Sequence, residues 1–204
     1  METLPLFPLS SALFPAGVMH LRIFEVRYLD MIRRCIAEDG TFGVVPLISG
    51  REVRVPESSE TFASVGTRAR IEKWEAPMPA LLEIRCVGTT RFRLTSHEQG
   101  PYGLWMGEVI DMIDAPPQEI PESLQSAANA LGKFIASLQQ DGVSAAQMPI
   151  APPFRLDEAG WVADRWSELL PLPSSEQERL LSMEDPVARL ERIQTYLADG
   201  PASL

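Results

Sequence analysis

Residues 4–28, LPLFPLSSALFPAGVMHLRIFEVRY, limit what this chain can fold into more than any other stretch. Apolar runs at 4–9 and 18–23 flank a turn that carries Pro15 and Gly17, which predicts two short strands turning back through a fixed corner. Pro5, Pro8 and Pro15 have no backbone N–H, so these strands cannot be hydrogen-bonded on both sides throughout and are expected along a sheet margin. At Ile23 the apolar spacing changes from every second residue to helical, so a strand hands over directly to a helix.

The helix predicted over 26–38 buries Val26, Leu29, Ile32 and Ile36, with Tyr28, Met31 and Cys35 beside them. Arg27, Asp30, Arg34 and Glu38 fall on its outer face, and Asp39-Gly40 stops it, with Gly40 as the left-handed cap. A strand over 41–48 and a polar loop over 49–61 follow. Then Val65, Thr67, Ala69 and Ile71 alternate with Arg68, Arg70, Glu72 and Trp74, the pattern of a strand with one wet face. Pro77-Met78-Pro79 turns the chain into a second strand through Leu82, Ile84 and Cys86, with a bulge or bend expected at Gly88, and 102–111 reads as a last strand. Ala115-Pro116-Pro117 is the best linker. Beyond it the period is helical: a stripe from Ile120 to Leu138, an extended connection over 143–156, a helix capped by Asp157, a short helix opened by a Ser175/Glu178 capping box, and a last helix from Asp185-Pro186 to the stop at Asp199-Gly200-Pro201. This reads as an α+β chain. A mostly antiparallel, curved β-sheet or partly open barrel with one packed helix spans residues 1–115, and a C-terminal helical bundle spans 119–200.

A net charge of −10 opposes general binding to a phosphate backbone, which depends on Lys and Arg. The helical part is the more acidic, with 6 basic and 13 acidic residues over 116–204 against 12 and 15 over 1–115. Cys35 and Cys86 each sit inside an apolar pattern, which predicts buried free thiols and a reducing, cytoplasmic setting. The start of the chain has no basic region ahead of an apolar one, and no apolar run approaches the about 20 residues of a membrane span, so neither export nor membrane insertion is expected.

The motifs LPLFPL, LFP and LRIFExRY occur in that order, followed by Phe42-Gly43-Val44, Val65-Gly66-Thr67 and the GxxRF of 88–92. The tail adds LLPLP at 169–173, QERLLSMED at 177–185 and RLERI at 189–193. Together they resemble the N-terminal, substrate-binding domain of the ATP-dependent protease Lon, above all the stand-alone bacterial proteins that contain only that domain. The resemblance spans nearly the whole chain and implies a PUA-like pseudo-barrel. It also implies no ATPase or protease machinery, since in Lon those domains lie C-terminal to this one.

The residues agree that no reaction is encoded. His20 and His97 are 77 positions apart with no metal-ligand spacing around them. Gly132-Lys133 lacks the rest of a phosphate-binding loop, and the serines cluster in turns and caps. No catalytic residue, metal or cofactor is therefore expected. Glu25 reads as structural, a carboxylate at a helix start with Arg91 as a possible partner. Arg68, Arg70, Arg85, Arg91 and Arg93 lie on neighbouring strands and could form a basic face for RNA, which PUA-like folds can bind. The interleaved Glu72, Glu83 and Glu108 favour cross-strand ion pairs instead. The function expected is a non-catalytic protein-binding module, an adaptor or regulator of proteolysis with unfolded or apolar polypeptides and a Lon-type protease as candidate partners; RNA binding is the alternative. Trp105, Arg91 and Arg93 are the candidate partner-binding residues.

Overall fold

The computed structural model describes residues 2–50, 52, 60–144 and 147–199. Most of the polar loop expected over 49–61, two residues of the expected 143–156 connection and the Gly200-Pro201 stop lie outside the described residues. Among the described residues the first part holds seven strands and one helix: β1 (Glu2–Leu9), β2 (Val18–Ile23), α1 (Val26–Glu38), β3 (Thr41–Ser49), β4 (Thr61–Phe62), β5 (Val65–Met78), β6 (Leu81–Gln99) and β7 (Trp105–Asp111). Four helices follow: α2 (Gln125–Gln140), α3 (Ala159–Leu169), α4 (Ser174–Ser182) and α5 (Pro186–Asp199). The fold is α+β with a curved, mostly antiparallel sheet in the order β1-β7-β6-β5-β3-β4, with β2 added on β6.

β1 does not run along a margin. Its first half, through Leu6, pairs antiparallel with β7, and its second half, from Leu6 on, pairs parallel with β3, so the ladder returns on itself through this strand. Each half uses one side of its backbone, which lets Pro5 and Pro8 sit in the seam without breaking a two-sided ladder. The unbroken apolar run also has a cause: Leu4 and Leu6 enter one core cluster while Phe7 and Leu9 enter another, so both faces are buried.

β6 is the spine. Over 82–87 it carries β2 on one side and β5 on the other; beyond Phe92, β7 succeeds β2. The exchange happens at Gly88, where the corner of residues 14–17 crosses. Ala16 N–H donates to the Gly88 carbonyl at 2.8 Å and Gly88 N–H donates to the Gly17 carbonyl at 2.9 Å. A Cβ on Gly88 would collide with the Phe14 carbonyl oxygen, so only glycine lets the corner come this close.

α1 is rotated from the expected stripe. Its buried residues are Arg27, Tyr28, Leu29, Met31, Ile32 and Cys35, while Val26 is exposed. Arg27 is buried because the start of the helix faces polar groups it can satisfy: its guanidinium lies 3.1 Å from the Glu25 carboxylate, donates to the Gly103 carbonyl and stacks on Tyr28. Glu25 therefore pairs with Arg27, not Arg91, and it makes no side-chain cap. At the other end Asp39 takes the left-handed conformation in place of Gly40, at φ 51°.

The helices close over the corner. Their core around Leu131, Trp161, Trp166, Leu180 and Ile193 also contains Ala12, Phe14 and Val65 from the sheet part, so packing crosses the 111–122 connection. Side chains of α3 and α4 hold the corner's backbone. Glu168 accepts from Phe14 N–H (2.9 Å), Arg165 donates to the Pro15 carbonyl (2.9 Å), and Gln177 accepts from Ala12 N–H (3.0 Å). Neither cap read from the sequence forms: α3 starts after Glu158 and α4 after Pro173, both without a side-chain cap bond, and Glu178 instead accepts from Ser64 N–H.

Candidate functional site

β2, the end of β5 and the start of β6 lie side by side, and their register arranges three cross-strand rows. His20 faces Arg85, which faces Lys73; Leu21 faces Ile84, which faces Trp74; Arg22 faces Glu83, which faces Glu75. Side chains alternate between the faces of a sheet, so the apolar row lies on the core-facing side, where Ile84 is buried, and the basic and mixed rows lie on the other. These side chains, with Ala151 and Pro152 from the connection between α2 and α3, line a cleft of about 900 Å³. Trp74 is 51% exposed there, and Met78, Phe24 and Val26 are also more than half exposed around the same end of the sheet. Exposed apolar side chains beside a cleft make this end of the sheet a candidate contact surface.

Trp74 reaches this position through a bulge. The β5–β6 register shifts between Ile71 and Lys73, which moves Trp74 out of the Arg68, Arg70, Glu72 alternation and into the row of Ile84. Charges within the cleft are only partly matched: Arg22 pairs with Glu83 at 3.2 Å and Arg85 with Glu72, while Lys73 and Glu75 make no ion pair among the described residues.

The residues singled out from sequence lie elsewhere and do not come together. Arg91 is 2% exposed; it pairs with Asp114 at 2.7 Å and donates to the carbonyls of Leu181 and Met183, which ties β6 to the end of α4. Trp105 is half-buried, edge-on to Phe62 and His97, and its indole N–H donates to Glu60 at 2.6 Å. Arg93 is exposed and makes no ion pair among the described residues. Of the remaining candidate arginines, Arg68 pairs with Asp111 and Glu2, and Arg70 and Arg85 both reach Glu72. Four of the five are therefore neutralised by carboxylates, which leaves no continuous basic face on these strands.

Residues 3–199 match the family described as the ATP-dependent protease La (LON) substrate-binding domain. The chain belongs to the Lon substrate-binding domain family. Among solved structures it is similar to a Lon N-terminal domain protein from Xanthomonas campestris, with 32% identity, a TM-score of 0.76, and coverage of 96% of this chain and 99% of that one. It also shares its fold with the N-terminal domain of a Mycobacterium avium complex Lon protease, with 18% identity, a TM-score of 0.60, and coverage of 97% and 99%. No curated protein matches the sequence.

This family is defined by substrate binding, and the Lon-like domain here has the thiol chemistry of a core. Cys35 and Cys86 are free and buried; burial raises the Cys35 thiol and pushes Cys86 up to about 12, so both stay protonated. Among the described residues no group of three or more His, Cys, Asp or Glu could hold a metal ion, and no helix is long and apolar enough to cross a membrane. Sequence reasoning missed Trp74, Lys73, His20 and Arg22 as site residues. One signal was present: a tryptophan on the wet face of a strand.

Proposed function

We propose that this Lon-type domain is a non-catalytic polypeptide-binding module that takes unfolded or apolar segments in the cleft of β2, β5 and β6, and that it serves as an adaptor or regulator of proteolysis. The observation that carries this is Trp74, half exposed in line with partly buried Leu21 and buried Ile84 and open to a cleft of about 900 Å³. Burying apolar surface gains about 25 cal/mol per Å² whatever the sequence of the client, which suits weak, promiscuous capture. Its dependence on salt is shallow, unlike that of phosphate binding. The arginine pairing described above supports a polypeptide client over RNA. Of the contacts read from sequence, exposed Arg93 and half-buried Trp105 remain available to a partner at the far end of the sheet, whereas Arg91 acts only by holding the sheet to the helices. Two free, buried thiols fit a cytoplasmic setting.

The test is degradation of a reduced, unfolded substrate by a Lon-type protease, with this protein added as wild type or as Trp74→Ala. The wild type changes the rate and binds the substrate directly; Trp74→Ala does neither. Unchanged degradation together with no binding of unfolded protein by the wild type would reject the reading.

A further inference from the structure

The proposed cleft borders a strand that has a neighbour on one side only. Among the described residues β2 pairs with β6 alone, and the connection over 147–152 runs past it without pairing, leaving clefts of about 350 Å³ beside Val18, Met19 and His20 and about 900 Å³ beside His20, Leu21 and Arg22. The hydrogen-bond parity of β2 follows from its entry. Gly88 N–H donates to the Gly17 carbonyl, and the register continues from Val18↔Val87. In an antiparallel ladder the residues that exchange bonds alternate, so Met19, Leu21 and Ile23 turn their backbone groups toward β6, while Val18, His20 and Arg22 turn theirs outward. The outward set is a short template for one more strand.

The side chains along this edge have a definite chemistry. A strand laid beside β2 meets His20 and Arg22 on one face, with Arg85 one strand further in, and on the other face it continues the apolar row of Leu21, Ile84 and Trp74. The glutamates of the cleft lie behind this front: Glu83 is one strand in and already paired with Arg22, and Glu75 is two strands in. In a chain of net charge −10, β2 carries no acidic side chain; its charged residue is Arg22, exposed although paired with Glu83, and His20 stands two positions before it.

We infer that the client binds as an added strand on the outer edge of β2, and that the preferred segment is extended and alternates acidic with apolar side chains. The acidic side chains lie beside His20 and Arg22, and the apolar ones extend the row at its Leu21 end, two strands from Trp74. Backbone bonds to His20 and Arg22 supply sequence-independent affinity, and the charges supply the preference. This rests on the polypeptide-binding reading above and names the client class for the same cleft.

Binding of three labelled peptides to the full chain tests it. Each alternates valine with glutamate, glutamine or lysine, and a fourth repeats the glutamate peptide with N-methylated amides; reduced, unfolded protein is the control client. The glutamate peptide binds about two- to fivefold more tightly than the glutamine peptide, as expected for exposed ion pairs, and the lysine peptide binds least. Arg22→Glu reverses the order of the glutamate and lysine peptides, Arg22→Gln levels it, and N-methylation abolishes binding. Equal binding of all three peptides, or undiminished binding of the methylated one, overturns the inference while leaving the cleft reading intact if Trp74→Ala still weakens the control client. If neither peptides nor unfolded protein bind, both readings fail. Self-association of the chain that Arg22→Glu disrupts makes the β2 edge an interface between copies and also overturns the inference.

Discussion

The corner where the helices meet the sheet and the tip formed by β2, β5 and β6 use the same residue types in opposite ways. At the corner, Arg91, Arg165 and Arg189 are buried, and each is matched to a carboxylate and to backbone carbonyls: Asp114 with Leu181 and Met183, Glu168 with Pro15, and Asp164 with Met183. Trp166 there is buried and satisfied too, donating to the Ala127 carbonyl at 3.0 Å. At the tip, Trp74 is half exposed, and Lys73 and Glu75 are without ion pairs among the described residues. Burying charge is costly unless it is paired, so these arginines, each with a carboxylate partner although Nε of Arg189 makes no hydrogen bond, mark a joint built for architecture. Unmatched charge beside open apolar surface has no such structural explanation, and there a binding role has to be sought.

Breaking the joint has the largest expected effect. Arg91→Ala leaves two carbonyls and Asp114 without their donor and opens a void, and urea denaturation should show a loss of about 3 kcal/mol with little change in the intrinsic affinity of the folded cleft. Gly88→Ala forces the corner off β6 and costs about 1–3 kcal/mol in the same assay. The joint also sets a pH dependence. Burial pushes the Glu168 carboxyl up from its ordinary 4.5 to about 7, against the pull of Arg165. A carboxyl raised on folding binds its proton more tightly in the folded state, so its contribution is complete below pH 4.5 and is lost as pH rises through 7. Glu168→Gln should flatten that part of the stability profile. At the tip the effect on folding is smallest: Trp74→Ala should change stability by no more than about 0.5 kcal/mol while removing polypeptide binding. A comparably small loss for Arg91→Ala, or a large one for Trp74→Ala, would erase the distinction between joint and tip.

The fold was readable where a local period decides burial. The strands of 65–94, the change to helical period after the proline linker and the buried cysteines all follow from side chains recurring on one face. What escaped was set by contacts distant in sequence. β1 is a seam because β3 and β7 each take half of it, and prolines alone cannot tell a seam from a margin. Arg27 looked like an outer-face residue, but the Gly103 carbonyl, 76 positions away, gives it a buried partner. Arg91 looked available because the carbonyls of Leu181 and Met183 that fix it belong to the end of α4. The tip was missed for a related reason: alternation put Trp74 on an exposed face, but it could not show that β2 and residues 151–152, distant in sequence, line a cleft with it.

Hydrogen–deuterium exchange, measured on the full chain with and without saturating reduced, unfolded protein, tests the central claim most directly. The account predicts slowed exchange at the outward amides of β2, above all His20 and Arg22, and around Trp74, with the corner of residues 12–17 unchanged. Protection confined to the surroundings of Trp105 and Arg93, with β2 and the end of β5 unaffected, would contradict it.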